Sequence, residues 1–97
     1  MSDRLNRTYT SGLILQTLAQ GLSYGFNIID HTGLPSGTVY PALRRLESAG
    51  LVDSHWDHKG AEKSGGPPRK YYRLTALGRE RLKLLRERYH LLEQMAR

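Results

Sequence analysis

The side chains best equipped for chemistry here are basic and aromatic, and they are unevenly distributed. Fifteen Lys and Arg against nine Asp and Glu give a formal net charge of +6, with a pI near 10.0. Residues 69–97 hold nine of the basic residues against Glu80, Glu87 and Glu93. A second concentration is the segment Ser36–Ser48. At 100° per residue on a helix, Gly37, Tyr40, Pro41, Arg44 and Ser48 share one side, with Thr38 and Arg45 flanking them. A tyrosine, two arginines and small residues on one face allow close approach to a surface bearing phosphates. A polyanion is the natural partner of such a chain.

Other chemistries find little support. There is no cysteine, which excludes disulfides, thiolate catalysis and cysteine-based zinc sites. Histidine offers one cluster, His55, Asp57 and His58. On a strand the first two share a side and His58 faces the other, and no second cluster completes a metal site. Asp30 and His31 are adjacent on a short helix and face different ways. Gly65-Gly66 lacks the lysine and serine context of a phosphate-binding loop. The sequence predicts a protein that is not an enzyme and carries no metal or cofactor. No apolar run is long enough to span a bilayer, and Met1–Arg7 is too polar for a signal peptide. A cytoplasmic protein without membrane association is expected. Ninety-seven residues, 38% hydrophobic and 25% charged, suit one small globular unit.

The elements that position the basic face can be read from periodicity and punctuation. A first helix is predicted from Tyr9 to Gln20, capped by Thr8, with Leu13, Ile14, Leu15 and Leu18 as its apolar face and Gly21 as its stop. Ser23 is placed to cap a short second helix, Tyr24 to His31, carrying Phe26, Ile28 and Ile29. Thr32-Gly33-Leu34-Pro35 reads as a turn. A third helix follows, with Ser36 as N-cap and Gly50 as terminator, and Val39, Leu43 and Leu46 facing the core. Leu51–Asp57 and Arg69–Leu74 read as strands around a Gly/Pro-rich loop, residues 58–68, that carries Lys59 and Lys63. Thr75 caps a last helix that runs to the C-terminus. That helix has two apolar stripes: Leu82, Leu85, Tyr89, Leu92 and Ala96 in a coiled-coil spacing, and Leu77, Leu84, Leu91 and Met95 beside it. One chain of this size covers one stripe, so the other is expected to meet a second copy.

Helix, helix, turn, helix and β-wing is the order of a winged helix-turn-helix, in which the helix after the turn enters the major groove. The predicted fold is therefore mainly α with a small β-wing. Residues 1–74 form the winged helix-turn-helix, and residues 75–97 form a C-terminal dimerisation helix.

Four segments resemble the PadR family of bacterial transcriptional regulators. They are Gly21-Leu22-Ser23-Tyr24-Gly25-Phe26, the run Ser36-Gly37-Thr38-Val39-Tyr40-Pro41-Ala42-Leu43-Arg44-Arg45-Leu46-Glu47, Gly50-Leu51-Val52, and Gly66-Pro67-Pro68-Arg69-Lys70-Tyr71-Tyr72-Arg73-Leu74-Thr75. Together they span nearly the whole chain in the right order. The resemblance implies a homodimeric regulator, usually a repressor, that binds double-stranded DNA at a palindromic operator and is released by a small effector. It places Thr38, Tyr40 and Arg44 on the DNA side of the third helix and Arg69 and Lys70 in the wing. The candidate DNA-binding set is Ser36, Gly37, Thr38, Tyr40, Pro41, Arg44, Arg45, Lys59, Lys63, Arg69 and Lys70. The candidate dimerisation set is Leu82, Leu85, Tyr89, Leu92 and Met95, of which Leu85, Tyr89, Leu92 and Met95 also offer apolar walls for a small hydrophobic effector between paired protomers. Tyr72 is expected to pack, and Trp56 to cap the core beneath the wing. The competing function is a winged-helix module that binds protein and has lost its DNA contact.

Overall fold

The computed structural model describes residues 3–59, 63 and 65–88, with side chains from Arg7 onward. In chain order it contains α1 (Asp3–Ala19), α2 (Gly25–Thr32), α3 (Ser36–Ser48), β1 (Val52–Asp57), β2 (Arg69–Leu74) and α4 (Ala76–Arg88). The two strands form an antiparallel hairpin with Val52 opposite Leu74 and Asp57 opposite Arg69. Three helices, a β-hairpin and a following helix make a winged helix-turn-helix with a C-terminal helix, as the sequence predicts.

Each helix end has a local cause. At the end of α1, Gly21 takes φ +91°, the Leu22 N–H reaches the Thr17 carbonyl, and the Gly21 N–H reaches that of Leu18. Gly50 ends α3 in the same way at φ +78°, with Leu51 bonded to the Leu46 carbonyl and Gly50 to that of Glu47. Both ends are Schellman motifs, whose left-handed position favours glycine. Thr75 caps α4 as expected: its hydroxyl oxygen accepts the Gly78 N–H at 3.0 Å and its hydroxyl proton goes to the Gly50 carbonyl at 2.6 Å.

The helix starts differ from expectation. The first helix begins at Asp3, so Thr8 lies inside it and caps nothing. The polar residues before Tyr9 lack the apolar periodicity that would have extended the prediction. Tyr24, not Ser23, occupies the N-cap of α2, and Pro35, not Ser36, that of α3; neither side chain makes a capping hydrogen bond. The Ser23 hydroxyl turns to the Gly21 carbonyl at 3.4 Å, and the Ser23 carbonyl accepts the Tyr72 N–H at 2.8 Å. That bond, with the Tyr24–Tyr71 bridge, fastens the start of α2 to β2.

Ile14 and Leu15 of α1, Ile28 of α2, and Val39, Ala42 and Leu43 of α3 form the sealed centre of the core. Leu51, Val52, Tyr72, Leu82 and Leu85 close it from the hairpin and α4. Burying a side chain of this size contributes roughly 1.5–3 kcal/mol. Gln16 is also buried, and its side-chain oxygen accepts two hydrogen bonds from Arg86, at 2.8 Å from Nε and 2.6 Å from Nη2. This charge-assisted fork joins α1 to α4 where a lone buried amide would be costly.

Glycine sets the rotation of α4. A Cβ on Gly78 would collide with the Leu51 carbonyl oxygen. Gly78, Leu82 and Leu85, spaced i, i+4 and i+7, therefore form the inward stripe, and the leucines are 3% and 7% exposed. This corrects the assignment of Leu82 and Leu85 to the partner seam, since the protomer's own core uses them. Leu77 and Leu84 of the other stripe are 49% and 56% exposed. Tyr89, Leu92 and Met95 lie outside the described residues. Among the described residues, no helix is long and apolar enough to cross a membrane.

Candidate nucleic-acid interface

The turn between α2 and α3 is made by Gly33, which takes φ +73° and donates its N–H to the Ile29 carbonyl. The Thr32 hydroxyl then accepts the Leu34 N–H at 3.2 Å, and Pro35 starts the next helix. With Val39, Leu43 and Leu46 buried, the opposite side of α3 faces outward. Ser36, Gly37, Tyr40, Arg44, Arg45 and Ser48 are exposed, and Thr38 and Pro41 are half-buried. Pro41 has no N–H to give the Gly37 carbonyl one turn back, so the helix loses that bond on its exposed side. Tyr40 lies across the start of α2. A Cβ on Gly25 would stand 2.5–2.8 Å from the Tyr40 ring and hydroxyl, so the glycine is what lets the ring lie flat there.

The flank of α3 toward the wing is tied down by polar contacts. Glu47 accepts a hydrogen bond from Ser54 of β1 at 2.6 Å, and Lys70 of β2 approaches Glu47 at 4.0 Å. The Lys70 ammonium also lies 5.8 Å from the ring centres of both Trp56 and Tyr72. Burial, with the Glu47 charge next, raises the Tyr72 phenol above its ordinary pKa. The packing role expected for Tyr72 is what the structure shows. Trp56 is different: it is 57% exposed and does not cap the core. The strand alternation gives its side correctly, but the core ends at Val52 and Tyr72, two rungs short of the indole.

On the other face of the hairpin, rings and charges run from the wing to α2. The Tyr24 hydroxyl donates to Asp57 at 2.6 Å, and this bond raises the Tyr24 phenol pKa, with desolvation adding to it. Tyr24 stacks on Phe26 at 5.5 Å and meets the edge of Tyr71 at 6.2 Å. Arg69 sits over Phe26 at 5.3 Å, and Arg73 contacts His55 at 3.0 Å beside Tyr71. Sequence reasoning missed this ladder. The alternation of Arg69, Tyr71 and Arg73 was visible, but nothing local revealed that Tyr24 and Phe26 would complete it.

Ser36, Gly37, Tyr40, Pro41 and Arg44 share the outward face of α3, with Thr38 at its edge near the helix start. Lys59 and Lys63 are exposed between the strands. His58, Lys59 and Lys63 have helical backbone, which corrects the reading of that stretch as wholly loop; the strand pairing ends at Asp57 and Arg69, freeing the chain to coil. Arg69 and Lys70 are in the wing but are held by Phe26 and by Trp56, Tyr72 and Glu47. Arg45 turns to the opposite flank of α3, toward α1 and α4, where it lines a groove with Arg7 and Arg81. Among the described residues, no group of three or more His, Asp or Glu could hold a metal ion.

Residues 14–84 match the model of the transcriptional regulator PadR-like family. The chain belongs to that family. Among PadR-family structures, a transcription regulator from Clostridium difficile is 32% identical with a TM-score of 0.75, over 90% of this chain and 93% of that one. A PadR-like transcriptional regulator from Bacillus cereus is 27% identical with a TM-score of 0.69, over 97% and 92%. The fold also matches S. aureus MepR, solved as a DNA complex, at 21% identity and a TM-score of 0.65, over 98% of this chain and 63% of that one. Among proteins with curated descriptions, none matches the chain. Within this PadR-like chain, the DNA-facing candidates on α3 fall inside the matched region, as do those of the wing.

Proposed function

We propose that this PadR-like protein is a sequence-specific DNA-binding repressor that acts in the cytoplasm as a homodimer on a palindromic operator. The observation that carries this reading is the outward face of α3. Tyr40 and Arg44 stand exposed beside Gly37 and Pro41, which present little bulk to a ligand surface. In this reading α3 enters the major groove, Thr38 reads base edges from near the helix start, and Tyr40 and Arg44 contact phosphate, while Arg45, turned toward α1 and the last helix, does not. Ser36, Gly37 and Pro41 permit close approach. Lys59, Lys63, Arg69 and Lys70 add the charge of the wing. The winged helix-turn-helix, within residues 1–74, binds DNA, and residues 75–97 join two protomers. Exposed Leu77 and Leu84 support that second role, which Leu82 and Leu85 cannot fill from inside the core.

Selection of bound sequences from random duplex DNA at near-physiological salt tests the reading. The expected product is an inverted repeat whose half-sites lie one helical turn, about 34–36 Å, apart. A promoter carrying that sequence should be silenced by the protein in a purified transcription assay. No enrichment, or weak binding indifferent to salt, would mean a protein-interaction module instead.

A further inference from the structure

One large apolar side chain stands outside both the core and the DNA contacts proposed above. Trp56 is 57% exposed, the most open of the large hydrophobic residues among those described. The strand register fixes where it stands. Val52, Ser54 and Trp56 alternate on one face of the hairpin, opposite Leu74, Tyr72 and Lys70. That face leans on α3: Val52 and Tyr72 are buried, and Ser54 bonds to Glu47. Tyr72 also lies near the outward side of α3, since burial first, and then Glu47, Tyr40 and Arg44, act on its phenol. Trp56 and Lys70 form the next rung on this face, about 7 Å nearer the wing tip by the rise of a strand. The indole is also held in place. The Lys70 ammonium sits over its ring at 5.8 Å and over that of Tyr72 at the same distance, and it reaches Glu47 at 4.0 Å. A side chain so placed continues the exposed row of Tyr40 and Arg44 from α3 onto the wing.

An indole has an apolar body and a single N–H donor. A duplex backbone offers the matching surface, with deoxyribose carbons for the ring and phosphate oxygens for the N–H. We propose that Trp56 packs against the sugar–phosphate backbone bordering the groove that α3 enters, with its Nε1–H donated to a phosphate and Lys70 keeping the ring in place. This rests on the DNA-binding reading given above and adds to it a contact that carries no charge. Because the contact is to the backbone, it strengthens binding to every duplex without selecting sequence. An uncharged side chain displaces no counterion, so it acts on affinity and not on salt dependence.

Trp56 is the chain's only tryptophan, so its emission reports this contact alone. The test titrates the full chain with a labelled duplex of random sequence and with the selected operator. Either duplex at saturation should shield the indole from acrylamide quenching. By anisotropy of the label, Trp56→Phe should bind both duplexes about tenfold more weakly, the size of one hydrogen bond to a charged group, and Trp56→Ala more weakly still. Both variants should keep the wild-type slope of log affinity against log salt and, the side chain being exposed, the wild-type urea midpoint. A bound duplex that leaves the indole fully quenchable, or wild-type affinity in Trp56→Ala, overturns the inference and leaves the operator reading standing. A lower salt slope in Trp56→Phe overturns it too, by tracing the loss to a displaced charge. Emission that shifts with protein concentration before DNA is added assigns the indole to a contact between copies instead. Failure of every duplex to bind removes this inference together with the reading beneath it.

Discussion

The two flanks of α3 are built from different materials. Toward the wing and α2, the contacts are directional: Tyr40 lies on Gly25, Glu47 holds Ser54 and Lys70, and Arg69 covers Phe26. Toward α1 and α4, contact is made by leucines below, while Arg7, Arg45 and Arg81 stand exposed above them. The first flank fixes the angle of α3 against the hairpin through directional contacts between half-exposed groups. The second fixes it by burial and leaves its arginines at the surface. An element can be equally well held on both sides and yet by different forces.

The largest effect should come from the buried flank. Gly78→Ala puts a methyl group against the Leu51 carbonyl, a backbone atom that cannot step aside, so α4 must lift from the hairpin. A loss of about 3 kcal/mol is expected in denaturant unfolding, despite the better helix propensity of alanine. An unchanged midpoint would mean that α4 is not anchored there. On the wing flank the corresponding change, Gly25→Ala, meets only the far end of the Tyr40 side chain, which can swing outward. Its cost should be about 1 kcal/mol and should largely vanish in the Tyr40→Ala background. An additive double mutant would show that the ring does not rest on that glycine.

Arg44 sharpens the comparison from the outward face. Arg44→Ala should leave unfolding within about 0.5 kcal/mol of wild type. It should weaken binding to all duplexes alike and lower the slope of log affinity against log salt by about one. A loss at one base position with an unchanged slope would make Arg44 a reader of sequence. The smallest effect belongs to Tyr24→Phe, which deletes the bond to Asp57 and slightly loosens the wing. The folded Tyr24 pKa is raised, so its contribution is present below the unfolded value of about 10 and is lost as pH rises through the folded value. The difference between wild type and Tyr24→Phe in urea should therefore shrink on going from pH 7 to pH 11; a constant difference would exclude the hydrogen bond as its source.

Much of this architecture was legible because its signals are local. Gly21, Gly33, Gly50 and Thr75 end or start elements through bonds to residues within a turn or two, and each does what its type suggests. Val39, Leu43 and Leu46 marked the inner side of α3 by spacing alone, and so its outer side. What failed to show needed distance. Leu82 and Leu84 lie on rival stripes of equal apolar quality, and the choice between them rests on Gly78 meeting Leu51. Strand alternation puts Trp56 on the same side as Val52, yet alternation says nothing about where the core stops. Arg7, Arg45 and Arg81 are separated by more than thirty positions at each step, and only the fold assembles them.

The contacts around Thr75 also act as a fulcrum. Its hydroxyl holds the Gly50 carbonyl, its N–H holds the Leu51 carbonyl at 3.1 Å, and Gly78 lies so close to that same carbonyl that a Cβ there would collide with it. The end of α3, both ends of the hairpin and the base of α4 thus meet at one small joint. From there the 13 residues of α4 extend as an arm of about 20 Å. A tilt of about 10° at the joint carries the tip of that arm roughly 3 Å, by the same rise per residue. If two protomers join through such arms, as proposed, the separation of their outward α3 faces would be geared to the angle at Thr75, and small adjustments there would become register changes along a duplex.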